Sequence, residues 1–570
     1  MQGTKELIPK MMYGVHIDTL VPQNNFYRLL DKELNLHFLY KATKHYYGVE
    51  GQESIDPVVF FKICLVGYLN NINSDRKLVE YCSNCLDVRL FIKYDIDEPL
   101  PWHSTISRTR QLYGEEVFLE LFRKILSLCV EKNMVKGKRQ AVDSAFIKAN
   151  ASLDTLLEKE ILDDAAVYAD ELNENSEYKV TAQKKKRVEQ HHDWKKRNKK
   201  DIPGGDYAEG KEGNSGDFIQ AKYLSNHTHY SPTDPDARIS TKPGKPRNLN
   251  YYGQIAVDTA HHVITGACAD FADKRDSQCL PNILGQTIEN LNDNNLQMKQ
   301  LIADTGYSSG ETLKYLEENN IDAYIPNFGQ YKPEREGFIY NKTLDRYECQ
   351  CGNRAILPFK GIRKRHDDYQ NKQYRSSESV CKNCPLVKEC CGEKTKFKKL
   401  SHSIYKKEYD RMHKKLTDNK PFAQRMSRLR SSTVEPVLGT LINFLNMKRV
   451  NTRGITLANK HVLMAALTYN LKKYLKFITR KTVSKAISMQ TQLFPAFFNC
   501  FTLFFASFLS FSTSIFAHRK SSLKNQTPTK NQVLKSIMRK NRKALLRRKG
   551  RATVTHVICW HLVIYFTKTE

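Results

Sequence analysis

Residues 300–326, QLIADTGYSSGETLKYLEENNIDAYIP, read as strand, loop, helix, strand. That order is a βαβ unit, and it commits the chain to an α/β sheet. More strands precede it. YYGQIAVDTAHHVITGACAD, from Tyr251, reads as two strands joined by a short turn near Ala260–His262. LPNILGQTIENL between these blocks has helical spacing, and AVDSAFI, from Ala141, is a short run suited to a strand. The expected fold class is therefore α/β, a mixed sheet flanked by helices.

The remainder of the 570 residues is too long for one ordinary core, so several domains are expected. Apolar residues fall at helical spacing in DPVVFFKICLVGYLNN and EEVFLELFRKILSLCVEK, with Asp56 as N-cap and Pro57 at the first helical position. Residues 1–135 thus form an all-helical N-terminal domain. The sheet domain starts at 136 and runs to 330, interrupted by a polar, charged insert at 151–250. Within that insert KKKRVEQHHDWKKRNKKD is a solvated helix or a disordered arm, and GGDYAEGKEGNSGD is a flexible loop. A basic, Cys-bearing insert covers 331–401, a helical segment 402–478, and a basic, Phe-rich extension 479–570. In that extension residues 493–516 carry no charge, and Phe494, Phe497, Phe498, Phe501 and Phe505 share one helical face. This reads as a packed or partner-facing amphipathic helix. A membrane span is the alternative by length, against which Pro495 and the polar residues count.

Charge names a partner. The net charge is +30, and residues 436–569 hold 24 Lys and Arg with no Asp or Glu. Lys and Arg neutralise phosphates and release condensed counterions, so nucleic acid is expected, with a merely solubilising tail as the bland alternative. The opening MQGTKELIPKMMYG has no apolar run, which argues against a secretory signal and for a cytoplasmic, nucleoid-associated protein. Fourteen Cys without such a signal are expected as reduced thiols or metal ligands.

Three carboxylates stand out by context. Glu435 is the last acid before the acid-free stretch. Asp143 follows an apolar pair at a strand-like position, and Asp304 ends the strand LIAD before the turn TGYSSGE. Open α/β sheets place their sites at such strand ends. Two Asp on adjacent strands and a Glu from a helix offer hard oxygen ligands for Mg²⁺, and two such ions serve in-line displacement at phosphorus. Asp258 and Asp270 are rivals that spacing alone leaves open.

The segments VDSAFIKANAS, IADTGYSSGETL and STVEPVLGTLINFLNMKRVNTRG resemble, in this order, the three catalytic segments of DDE-type bacterial insertion-sequence transposases. DPVVFFKICLVGYLNN and LPWHSTISRTR resemble their helical N-terminal domain, and the likeness covers roughly residues 20–475. It implies a ribonuclease H-like core with Asp143, Asp304 and Glu435 as ligands of Mg²⁺ or Mn²⁺. It also implies cutting of an element's ends and joining to target DNA, by a dimer or larger synaptic complex. DNA is then the partner, as terminal repeats and as target, and a membrane is not. A DNA-binding protein derived from a transposase but catalytically inactive, still carrying zinc, is the alternative. Related transposases place an Arg four residues before the Glu and a Lys about two turns after it. Here that first position is Ser431, so Arg430, Lys448 and Arg449 become the candidates for DNA contact. The N-terminal helices, with Arg76, Lys77, Arg108 and Arg110, are expected to bind the terminal repeats or to form a dimerisation bundle.

Between Asp304 and Glu435 lie Cys349, Cys351, Cys381, Cys384, Cys390 and Cys391. C-x-C in YECQCGN and C-x₂-C in VCKNC suit tetrahedral zinc. Cys349, Cys351, Cys381 and Cys384 are the default set for a structural Zn²⁺, with Cys390 able to replace one of them. Cys82 and Cys85 also form C-x₂-C, but without a second pair nearby they read as buried helix thiols. His261 and His262 read as exposed turn residues.

Overall fold

Asp56 does what its sequence position predicts. Its side chain accepts from the backbone N–H of Val58 and Val59 at the start of a helix with Pro57 at its first position. A computed structural model describes residues 14, 16–48, 50, 54–158, 225–226, 229–240, 246–327, 331–364, 369–393 and 395–479. The sequence expectations for the charged arm, for most of the 151–250 insert and for the Phe-rich extension lie outside those residues. Among the described residues no helix is long and apolar enough to cross a membrane.

The N-terminal region is helical as expected. Its main elements are α1 (Pro57–Leu69), α2 (Asp75–Asn84), α3 (His103–Leu112) and α4 (Glu115–Glu131). α1 buries residues all round, which a helix can do only in the middle of a core. Arg110 is not available to DNA. Its guanidinium forms a two-pronged pair with Asp75 at 2.8 and 2.9 Å, tying α3 to α2. Arg76, Lys77 and Arg108 are exposed. Cys82 is buried in α2, and Cys85 is half-buried just past its end.

The main sheet is built from β1 (Arg139–Lys148), β2 (Arg238–Ser240), β3 (Asn248–Asp258), β4 (Ile264–Phe271), β5 (Gln300–Ile302) and β6 (Asp322–Tyr324). β3 is antiparallel to β1 on one edge and to β4 and β2 on the other. β5 is parallel to β1, and β6 is parallel to β5. An antiparallel meander continued by two parallel strands is the ribonuclease H-like sheet expected above. The β3–β4 turn carries exposed His261 and half-buried His262, the latter in the left-handed region at φ 57°. Helix α5 (Asp276–Asn292) packs on β4, and α6 (Gly310–Glu318) is the βαβ crossover.

The Cys-bearing insert is not a loop. It folds into a second antiparallel sheet of β7 (Phe338–Asn341), β8 (Arg346–Cys349), β9 (Ile356–Lys364), β10 (Gln370–Arg375) and β11 (Lys399–Ser403). Two short helices, α7 (Glu378–Lys382) and α8 (Val387–Cys391), lie between β10 and β11. The chain then returns through α9 (Lys406–Asp418) and α10 (Lys420–Phe444), which packs across β1, and the last described element is α11 over 455–479.

One hydrophobic cluster runs through the N-terminal helices, the main sheet, α10 and α11. Polar bonds fix the register of that junction. Asn446 donates from its backbone to Asn71 Oδ1 at 2.9 Å and from its side chain to Ile72 O at 3.0 Å. His461 is buried between Tyr68 Oη at 2.7 Å and the Asn446 carbonyl at 2.8 Å. A carbonyl can only accept, so His461 Nε2 carries the proton and Nδ1 accepts from Tyr68.

Candidate active site: three carboxylates and one guanidinium

β1 and β5 bring two aspartates side by side. Their last registered pair is Ala141 with Ile302. Asp143 and Asp304 each lie two residues further along. Two residues is the period of a strand, so both side chains leave the same face of the sheet. The sequence reading set Asp143 at a strand-like position and Asp304 at a strand end. Asp304 is at one, capping a short turn by accepting from Gly306 N at 2.6 Å. Asp143 is in mid-strand, because β1 runs on to Lys148 against β3. It is past the end only of its pairing with β5.

α10 supplies the third carboxylate. Its buried stripe includes Met426, Val434, Val437 and Leu441. Arg430 falls on that stripe at i+4 from Met426, so the helix aims it at the sheet. Its Nη1 donates to Asp143 Oδ2 at 2.8 Å, and its Nη2 to Glu435 Oε1 at 3.4 Å. Asp143 and Arg430 are largely buried, whereas the Glu435 side chain is 59% exposed at the rim. Burial pushes the Asp143 carboxyl above the ordinary aspartate range. The charges of Asp304 and Asp276 push the same way, and the Ser144 N–H and Arg430 oppose them.

Asp276 was not singled out by sequence. It opens α5, and its Oδ1 accepts from Ser144 Oγ at 2.5 Å and Tyr252 Oη at 2.7 Å. A Cβ on Gly306 would come within 2.6 Å of Asp276 Oδ2, so glycine is needed for the Asp304 turn to pass this carboxylate. The signal was present in the chain: Asp276 follows Arg275 at a helix start, where an acid is favoured by the helix dipole. Nothing in the local pattern told a dipole partner from a site residue.

The rivals have structural partners. Asp258 Oδ2 accepts from Gly137 N at 2.8 Å and Gln140 Nε2 at 3.1 Å, at the far end of the β1–β3 ladder. Asp270 pairs with Lys274 at 3.0 Å. Lys448 and Arg449 are exposed in the segment after α10, where Arg449 also donates to Asn150 Oδ1 at 3.2 Å. Among the described residues no three His, Cys, Asp or Glu side chains are gathered into a ready ion cage. Around Asp143 and Glu435 the reason is visible: a guanidinium stands between them.

Two family models match the chain. One is a Transposase domain (DUF772) over residues 15–112, and the other a Transposase DDE domain over residues 349–475. Both matches are to transposase domains, and together they cover 225 of the 570 residues. The DDE match includes Glu435 and the six cysteines of the insert, whereas Asp143 and Asp304 lie between the two matches. No curated protein matches the chain. A solved structure, the cryo-EM synaptic complex of piggyBac transposase with hairpin DNA, is similar at 10% identity and a TM-score of 0.27. That likeness covers 80% of this chain and 75% of the other.

Proposed function

We propose that this chain cuts the ends of an insertion sequence and joins them to target DNA, with Asp143, Asp304 and Glu435 as the ligands of divalent cations. One observation carries the reading. Residues from β1 and α10, 292 positions apart in sequence, reach the same guanidinium, and Asp304 stands beside the first of them.

The donor set fits Mg²⁺ or Mn²⁺ in its chemistry, being three carboxylates with hard oxygens. When bound, such ions activate an attacking oxygen and stabilise a leaving oxygen at phosphorus. The chain's own residues hold the parts in place. Strand pairing fixes Asp143, and the Gly306 N–H fixes Asp304. Arg430 keeps the acids from repelling one another until cations take over that task. Once released, its planar fork suits a phosphate oxygen. In this reading Lys448 and Arg449, exposed beyond α10, contact backbone phosphates. Arg76, Lys77 and Arg108 offer the helical domain, residues 1–135, a basic surface for terminal repeats. Two ends must be held together, so a homodimer within a synaptic complex is part of the proposal.

The test is in vitro cleavage of DNA carrying the element's ends. Asp304→Ala should abolish cleavage while end binding, read by gel shift, persists. Cleavage retained by that variant overturns the assignment. A second reading, a DNA-binding protein that no longer cuts, draws on the Arg430 bridge between Asp143 and Glu435. It is supported if the native chain binds ends and cuts nothing with either Mg²⁺ or Mn²⁺ supplied.

A further inference from the structure

The second sheet has little to hold it together. Its buried apolar cluster is Tyr347, Leu357 and Tyr374. Units with cores that small are usually stapled by disulfides or a structural metal. α7 and α8 lie beside this sheet, and Asn353 donates across the junction to the Val380 carbonyl at 3.0 Å.

The cysteines meet at this junction. Cys349 ends β8, and Cys351 lies in the turn after it. Cys381 and Cys384 come from α7 and its end, and Cys390 and Cys391 from α8. All six line one cavity of about 20 Å³, whose other polar lining is Asn353 and Lys398. A single water-sized sphere needs about 10–15 Å³, so the space suits one ion. Gly352, at φ 54°, lets the two sides close: a Cβ there would strike Cys384 Sγ.

The six are not equivalent. Cys381 is buried, and its S–H donates to Ser376 Oγ at 3.0 Å. That oxygen also accepts from Lys398 N at 2.8 Å, so Cys381 already has a structural partner. Cys349 donates to the Cys351 carbonyl at 3.0 Å, within the turn that carries both of them, and lines the cavity with the other thiols.

We infer that this cavity is a structural Zn²⁺ site closed by Cys349, Cys351, Cys384 and Cys390, with Cys381 left outside in its bond to Ser376. As they stand, no three of the sulfurs are gathered into a cage. Closure takes rotation about cysteine χ1 bonds between staggered wells. Four thiols release their protons as zinc binds, and Lys398, which contacts the Cys390 carbonyl, offsets part of the resulting negative charge. Four protein ligands leave no open position, which makes the site structural and independent of whether the carboxylates are catalytic.

The experiment uses the full-length chain purified without chelator. Elemental analysis should find one zinc per chain. Alkylation of the native protein, mapped by peptide mass spectrometry, should leave Cys349, Cys351, Cys384 and Cys390 unmodified until a chelator is added. Cys381→Ser should keep the zinc, and Cys390→Ser should lose it. The inference is overturned if Cys390 alkylates freely without chelator, if Cys381→Ser loses zinc while Cys390→Ser keeps it, or if the chain carries no zinc. Paired disulfides at these positions overturn it equally. The alkylation map needs no variant, so a misfolded mutant does not blunt the test.

Discussion

Arg430 donates to Asp143 at 2.8 Å, between residues 287 positions apart, and both side chains are largely withdrawn from water. The pair is a charge-neutralising clasp between α10 and β1, and it occupies a carboxylate that the proposed cation site would need free. Arg430→Ala leaves Asp143 buried beside Asp304 with less compensation. The expected loss of apoprotein stability is about 1–3 kcal/mol, the usual penalty for stranding one member of a charged hydrogen bond. Added Mg²⁺ should recover more of the melting temperature in the variant than in the native chain, because nothing competes for the acids. Thermal melts with and without Mg²⁺ check this. Equal Mg²⁺ shifts would mean that Arg430 does not stand in the ion's way.

Asp143 also sets a pH dependence. Its pKa is raised by burial first, then by Asp304 and Asp276. A raised carboxyl keeps its proton to higher pH than an ordinary aspartate, and a protonated carboxyl is a poor cation ligand. Cation loading, followed by Mn²⁺ titration at a series of pH values, should therefore fall off on the acid side earlier than an ordinary aspartate would allow. A fall-off at the ordinary aspartate pKa would remove the role assigned to burial.

Asp276 offers a separate handle on that limb. Asp276→Asn keeps an acceptor for Ser144 and Tyr252 but removes a negative charge near Asp143. Removing that charge lowers the Asp143 pKa, so the acid limb of Mn²⁺ binding should move to lower pH. Asp276→Ala should instead cost about 1–3 kcal/mol of stability by stranding two largely buried hydroxyls. A purely structural Asp276 would show the second effect without the first.

Much of this site was legible in the chain. The βαβ pattern of residues 300–326 fixed Asp304 at a strand end, because strand and helix periods differ and the turn between them is short. Asp143 was readable as a strand residue, but its neighbour across the sheet depends on register with β5, which no local pattern encodes. Arg430 could have been placed inward from the stripe Met426, Val434, Val437, Leu441. It was instead weighed against the position four before Glu435, where this chain has Ser431. The second sheet was missed because β9 is largely exposed and β7 and β10 are mostly half-buried, so no clean apolar alternation marks them.

His461 gives the sharpest stability prediction. It is buried in its neutral form, accepting from Tyr68 and donating to the Asn446 carbonyl, and burial lowers its pKa from 6.5 to about 4. The unfolded chain binds this proton below pH 6.5, whereas the folded chain resists it to about pH 4. The stabilising contribution is therefore fully present above pH 6.5 and is lost as pH falls toward about 4. The full effect is about 3 kcal/mol, at 1.36 kcal/mol per pKa unit. Below that range a forced proton breaks the bond from Tyr68 and loosens the junction between α1 and the segment after α10. Urea unfolding between pH 7 and 4 should show this decline in the native chain, and His461→Gln should flatten it while lowering stability at neutral pH. If the variant declines as steeply as the native protein, other groups carry the acid sensitivity and the junction is not pH-linked through His461.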